Sequence, residues 1–88
     1  MEVRRRRSLG RARPEANGTA FAGCAANEVA IAGGVRWDPV SLPASGLTIE
    51  MEGPSSRADG TVGSWRVDGH NGTGSSENLL AYALCINE

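Results

Sequence analysis

The chain has 88 residues, 40% of them hydrophobic, and a net charge of −1, a size that allows one small domain and excludes a multidomain enzyme. That charge hides an asymmetry: Arg4, Arg5, Arg6, Arg7, Arg11 and Arg13 fall in the first 13 residues against one Glu, whereas residues 14–88 hold three Arg and nine acidic residues. No stretch approaches the ~18 consecutive apolar residues of a transmembrane helix, and the 12 glycines suit strands and turns better than helices.

Residues 1–16 show no apolar periodicity and read as a disordered basic arm, leaving 17–88 as a single β domain. Clustered arginines could tether such an arm to nucleic acid or an anionic membrane through counterion release. The arm has no interleaved aromatics and the body is acidic, so nucleic acid is not the favoured partner. Arg4 to Arg7 look like the charged start of an export signal, but Ser8 to Thr19 is polar where an apolar stretch of about 7–15 residues belongs. Phe21-Ala22-Gly23-Cys24 resembles a lipobox without that stretch. The expectation is a chain with no convincing signal, as in a fragment, a mis-called start or the tail domain of something longer.

Gly18 to Cys24 reads as a short first strand, followed by a turn at Ala25 to Glu28. Val29-Ala30-Ile31-Ala32 begins a second strand that passes through Gly33-Gly34 and resumes at Val35-Arg36-Trp37. Paired glycines within a strand mark a bulge or the close approach of another backbone. Asp38 to Ser45, with Pro39 and Pro43, is a loop. Leu47 to Glu52 alternates, with Leu47, Ile49 and Met51 expected inward and Thr48, Glu50 and Glu52 outward. Gly53 to Gly60 reads as a surface loop. Val62 to His70 gives a strand with Trp65 and Val67 on one face and Arg66 and Asp68 on the other. Asn71 to Asn78 is a turn feeding the last strand, Leu79 to Ile86, which is apolar on both faces and therefore expected to be covered on both. Five to six strands joined by turn-rich loops indicate an all-β domain, a small antiparallel sandwich or partly open barrel.

Only two cysteines are present, Cys24 and Cys85. A bridge between them would close nearly the whole domain, stabilise it by roughly 4 kcal/mol and belong in an oxidising compartment. The alternative is two buried thiols.

Four motifs in order then suggest a family. Cys24 with Asn27-Glu28-Val29-Ala30-Ile31-Ala32-Gly33-Gly34-Val35, Gly63-Ser64-Trp65-Arg66-Val67, and Ala81-Tyr82-Ala83-Leu84-Cys85 together resemble a small two-cysteine β domain of exported bacterial proteins. Such domains stand alone or lie C-terminal to collagen-like chains and have no agreed activity. The resemblance covers about residues 20–87 and implies a Cys24–Cys85 disulfide and an extracellular or cell-surface location. The chain departs from the pattern at Ala32, where the family often has a further glycine, and in its unpatterned arm.

Candidate chemistry is sparse. His70 is the only histidine, and the serines near it lack an elbow motif, so no nucleophile–base pair is predicted and the chain is not read as an enzyme. One His and two distant Cys do not have zinc spacing; Asp38, Asp59 and Asp68 do not form a calcium loop. No metal or cofactor is expected. The candidate ligand-binding residues are Trp37, Trp65, Asp68, His70 and Asn71: an exposed indole could stack on a sugar with the polar groups bonding to it, whereas buried indoles would be core plugs. Asn17-Gly18-Thr19 and Asn71-Gly72-Thr73 match the glycosylation sequon. The expected function is a non-catalytic exported β module for surface structure, self-association or adhesion, with a homo-oligomer or surface partner met through the loops Asp38–Ser45, Gly53–Gly60 and Asn71–Asn78. The alternatives are a carbohydrate- or protein-binding module using Trp37 or Trp65, and a nucleic-acid tether.

Overall fold

The computed structural model describes residues 2–38 and 46–87. Six strands follow in chain order: β1 (Val3–Ala12), β2 (Ala16–Gly23), β3 (Glu28–Asp38), β4 (Leu47–Ser56), β5 (Val62–Asn71) and β6 (Glu77–Asn87). They form two antiparallel three-stranded sheets, sheet A in the order β1-β6-β3 and sheet B in the order β2-β5-β4. The all-β sandwich expected from the turn-rich, strand-patterned sequence is what forms. Its Cα extents of 43 × 25 × 14 Å describe a slab with two broad faces.

The central strand of sheet A is β6, and its sequence explains why. Leu79, Ala81, Ala83 and Cys85 are fully buried against sheet B, while Leu80, Tyr82, Leu84 and Ile86 turn to the other side. Between the layers, Ala20, Ala22 and Val67 of sheet B meet this row. The side chains are small, so the sheets approach closely. A Cβ on Gly10 would overlap the backbone at Thr19, and one on Gly18 would crowd Ala12. These two glycines let β1 and β2 cross in near contact where the chain leaves one sheet for the other.

The expected disordered arm is corrected here. β1 pairs with β6 along its whole length, from Val3 opposite Ile86 to Ala12 opposite Glu77. The cause is β6 itself: a strand apolar on both faces cannot leave an edge unpaired, and β1 supplies the missing neighbour. Alternation in β1 sends Arg4 and Arg6 to one side and Arg5 and Arg7 to the other.

Three further expectations shift. The bulge in β3 falls between Ala30 and Ala32 rather than at Gly33-Gly34; Gly33 instead makes room for the Trp65 indole. A second bulge, between Ile49 and Met51, reverses the phase of β4. Met51 is therefore 50% exposed, and Glu52 comes round to accept a hydrogen bond from Trp65 Nε1 at 3.2 Å. Strand β4 also continues through Pro54 to Ser56, shortening the loop expected from Gly53; proline is accommodated because β4 is an edge. Of the loop Asp38–Ser45, residues 39–45 lie outside the described residues.

Cys24 and Cys85 form a disulfide with Cα atoms 5.8 Å apart and a sequence separation of 61. It joins the end of β2 to β6 and so staples one sheet to the other. Such a bond is consistent with an extracellular location. No helix long and apolar enough to cross a membrane is found among the described residues.

Candidate functional site

Strand alternation divides the five residues expected to bind a ligand. Trp65 and Asn71 turn inward from β5, whereas Asp68 and His70 turn outward from sheet B, so the two pairs sit on opposite sides of one strand. Trp37 packs inward from β3 against the core, and its Nε1 is buried with no hydrogen-bond partner among the described residues. The two indoles thus lie between the sheets rather than beside His70. Asn71 is a structural tether: fully buried, it donates from Nδ2 to the Ala12 and Ser75 carbonyls at 3.0 and 2.8 Å. Its Oδ1 accepts from Thr73 N and Oγ1 at 2.9 and 2.6 Å, which pins the β5–β6 turn to the end of β1 and hides that sequon.

The outer face of sheet B is mixed: Phe21 and Met51 are 47% and 50% exposed there, with the Arg66 guanidinium over the Phe21 ring at 5.4 Å from its centroid, and polar side chains bond to one another around them. Thr19 Oγ1 donates to Asp68 Oδ1 at 2.7 Å and Arg66 Nε donates to the same oxygen at 3.3 Å. The Thr19 hydroxyl first, and the Arg66 guanidinium after it, hold the Asp68 carboxyl below its ordinary value. His70 Nδ1 lies 2.7 Å from Asn17 Oδ1. A shallow depression of about 450 Å³ runs past Asn17, Thr19, Glu50, Met51, Arg66 and Asp68.

At one end of the slab, Cys24, Cys85 and Glu28 place two sulfurs and a carboxylate oxygen within 4.8 Å of one another. The sulfurs are bonded to each other, and the carboxylate already has cationic company, so the cluster is an ion-pair site rather than a metal site. Glu28, 3% exposed, accepts from Ala25 N at 2.8 Å and from Arg6 Nε and Nη2 at 3.3 and 3.2 Å; Arg4 Nε stands 3.9 Å away. The Ala25 amide, then Arg6, pulls the Glu28 carboxyl below its ordinary value against the opposing effect of burial. This explains the inward half of the arginine run.

The outward half builds the most distinctive surface of the molecule. Cross-strand register sets the outer face of sheet A in five ranks across β1, β6 and β3. Beginning at the disulfide end, they are Val3–Ile86–Val29, Arg5–Leu84–Ala32, Arg7–Tyr82–Gly34, Leu9–Leu80–Arg36 and Arg11–Asn78–Asp38. Four arginines and one aspartate therefore share a face with a continuous apolar floor. The Arg5 guanidinium sits over the Tyr82 ring at 5.4 Å from its centroid. Leu80 points outward yet is only 3% exposed, because Arg7, Leu9 and Arg36 stand around it and line a shallow cleft of about 400 Å³ with Asp38. By contrast Val3 and Leu9 are 47% and 55% exposed.

No protein-family model, curated protein or solved structure matches the chain. The sequence reading missed the surface because arginines occupy both faces of β1 and erase its period-two contrast. The signal was present in Val3, Arg5, Arg7 and Leu9 taken as alternate positions opposite the outward row of β6.

Proposed function

We propose that this chain is a non-catalytic β module, exported and working at a surface, that acts by docking through the outer face of sheet A. The observation that carries this is the arrangement of Arg5, Arg7, Arg11 and Arg36 around an apolar floor of Leu80, Tyr82, Leu84 and Ile86 on one broad face. Exposed apolar side chains grouped with cations on a flat surface favour a partner over a small substrate. The resemblance to small two-cysteine domains of exported proteins, together with the disulfide, supports the extracellular setting. The turned-in indoles give a sugar-stacking role no platform, and His70 bonds to an amide rather than to a nucleophile.

Two measurements test the proposal: sedimentation velocity over a concentration series, and retention of the folded domain on cell-envelope preparations. Arg7→Gln with Arg36→Gln should reduce association or retention while Arg66→Gln, on the opposite face, leaves both unchanged. Equal behaviour of the two variants would remove the assignment to sheet A.

A further inference from the structure

We propose that the partner of this face is an anionic lipid bilayer, on whose surface sheet A lies flat. This rests on the docking face argued above and names what occupies it. The ranks grade from wholly apolar, Val3–Ile86–Val29, to wholly polar, Arg11–Asn78–Asp38, with arginines between them. A soluble polyanion such as an acidic polysaccharide or single-stranded nucleic acid would engage the guanidinium groups and leave the apolar ranks in water. A second copy placed face to face would oppose four arginines to four arginines with one aspartate on each side. Strand addition is blocked at both edges of the sheet, by the arginine-rich β1 and by the bulge in β3.

A membrane interface satisfies both halves of the surface. Arginine stems lie along apolar ground while their heads reach out, as they do around Leu80 and Tyr82. Guanidinium groups pair with phosphate in bidentate fashion, and a tyrosine belongs at headgroup depth. Exposed Val3 and Leu9 then enter the acyl boundary. The balance of charge favours the same orientation. The outer face of sheet B sets one arginine, Arg66, against Asp68 and Glu50, and its exposed Phe21 and Met51 have no other cation beside them among the described residues. The outer face of sheet A instead sets four arginines against Asp38, which Arg36 approaches to 3.9 Å. The slab is polarised across its thin dimension, so its field turns sheet A toward a negative surface.

The test is vesicle co-sedimentation of the oxidised protein, with phosphatidylcholine alone and with phosphatidylcholine–phosphatidylglycerol mixtures. Near-ultraviolet circular dichroism confirms that each variant keeps its fold. Binding is expected only to the anionic vesicles and to weaken as salt is added. Arg7→Gln and Arg36→Gln should each lower the partition coefficient about fivefold; Leu9→Ser should lower it at low and at high salt alike, and Arg66→Gln should not change it. Equal binding to neutral vesicles, or indifference to all sheet A variants, overturns the proposal. So does a soluble polyphosphate bound as tightly by Leu9→Ser as by the unaltered chain, which would assign the face to polyanions. If vesicle binding fails while Arg7→Gln with Arg36→Gln still alters self-association or envelope retention, the bilayer falls and the docking face stands. If those also fail to respond, both fall.

Discussion

Gly33 lies directly beneath the indole of Trp65, and any Cβ at that position would overlap the ring. Four residues further along each strand the pair is repeated in reverse. Trp37 of β3 packs over Gly69 of β5, where a Cβ would meet the indole at 2.8 Å. Large faces small and small faces large across the interlayer space, with Val35 and Val67 between them. This is how two sheets of mostly alanine-sized residues accommodate two tryptophans. Gly33→Ala and Gly69→Ala are each expected to destabilise the domain by about 1–3 kcal/mol through overpacking. Gly53→Ala, where an added Cβ meets nothing within 4 Å, serves as the neutral control. Urea unfolding followed by tryptophan emission measures all three.

The disulfide is expected to carry a large part of the stability. Cys24→Ser with Cys85→Ser should lose about 4 kcal/mol in the chain-entropy account, enough to leave a domain this small marginal. Chemical denaturation with and without reductant reads the loss. A midpoint unaffected by reductant, with reduction verified by mass, would show that the sheets hold without the bond.

Stability should also fall with acid, and Glu28 is one place to look. Its carboxyl titrates below the ordinary value of 4.5 in the folded chain. A depressed folded value means the contribution is complete above pH 4.5, declines as pH falls toward the folded value, and is gone below it. Thermal unfolding across that range should show a decline that Glu28→Gln flattens. Asp59 and Asp68, lowered from 3.8, add their own decline further down the scale and remain in the variant.

Residues 1–12 are expected to be indispensable. Deleting them uncovers one edge of β6 along the register from Glu77 to Ile86 and removes Arg4 and Arg6, the cationic partners of Glu28. The shortened chain should melt earlier and aggregate through the bared edge. A disordered arm would leave the melting temperature where it was, so differential scanning calorimetry separates the two.

Much of the architecture could be read from residue patterns. β6 declared itself by being apolar on both sides, β5 by the alternation of Trp65 and Val67 with Arg66 and Asp68. What could not be read was fixed at long range. β1 is a strand because β6 needs a second neighbour and because Glu28, distant in sequence, accepts from Arg6; nothing local to the arginine run favours extension. The bulge at Glu50 moved Met51 out and Glu52 in, since one extra residue inverts every later side chain. The proposed ligand residues around Asp68 and His70 were near in sequence but separated by the two-residue period of the strand that carries them.

The covalent link between Cys24 and Cys85 closes a ring that contains β3, β4, β5 and most of β6. Strands β1 and β2 hang outside it. The strand that brings Arg5, Arg7 and Arg11 to the surface is thus retained without any covalent link, by ladder bonds, packing, the Glu28 ion pairs and the Asn71 bond to the Ala12 carbonyl. It can peel away while the ring stays shut, so its amides should exchange with solvent before those of β5. The molecule wears its charge on its most detachable part, and whatever it meets through that charge also decides how firmly that part stays on.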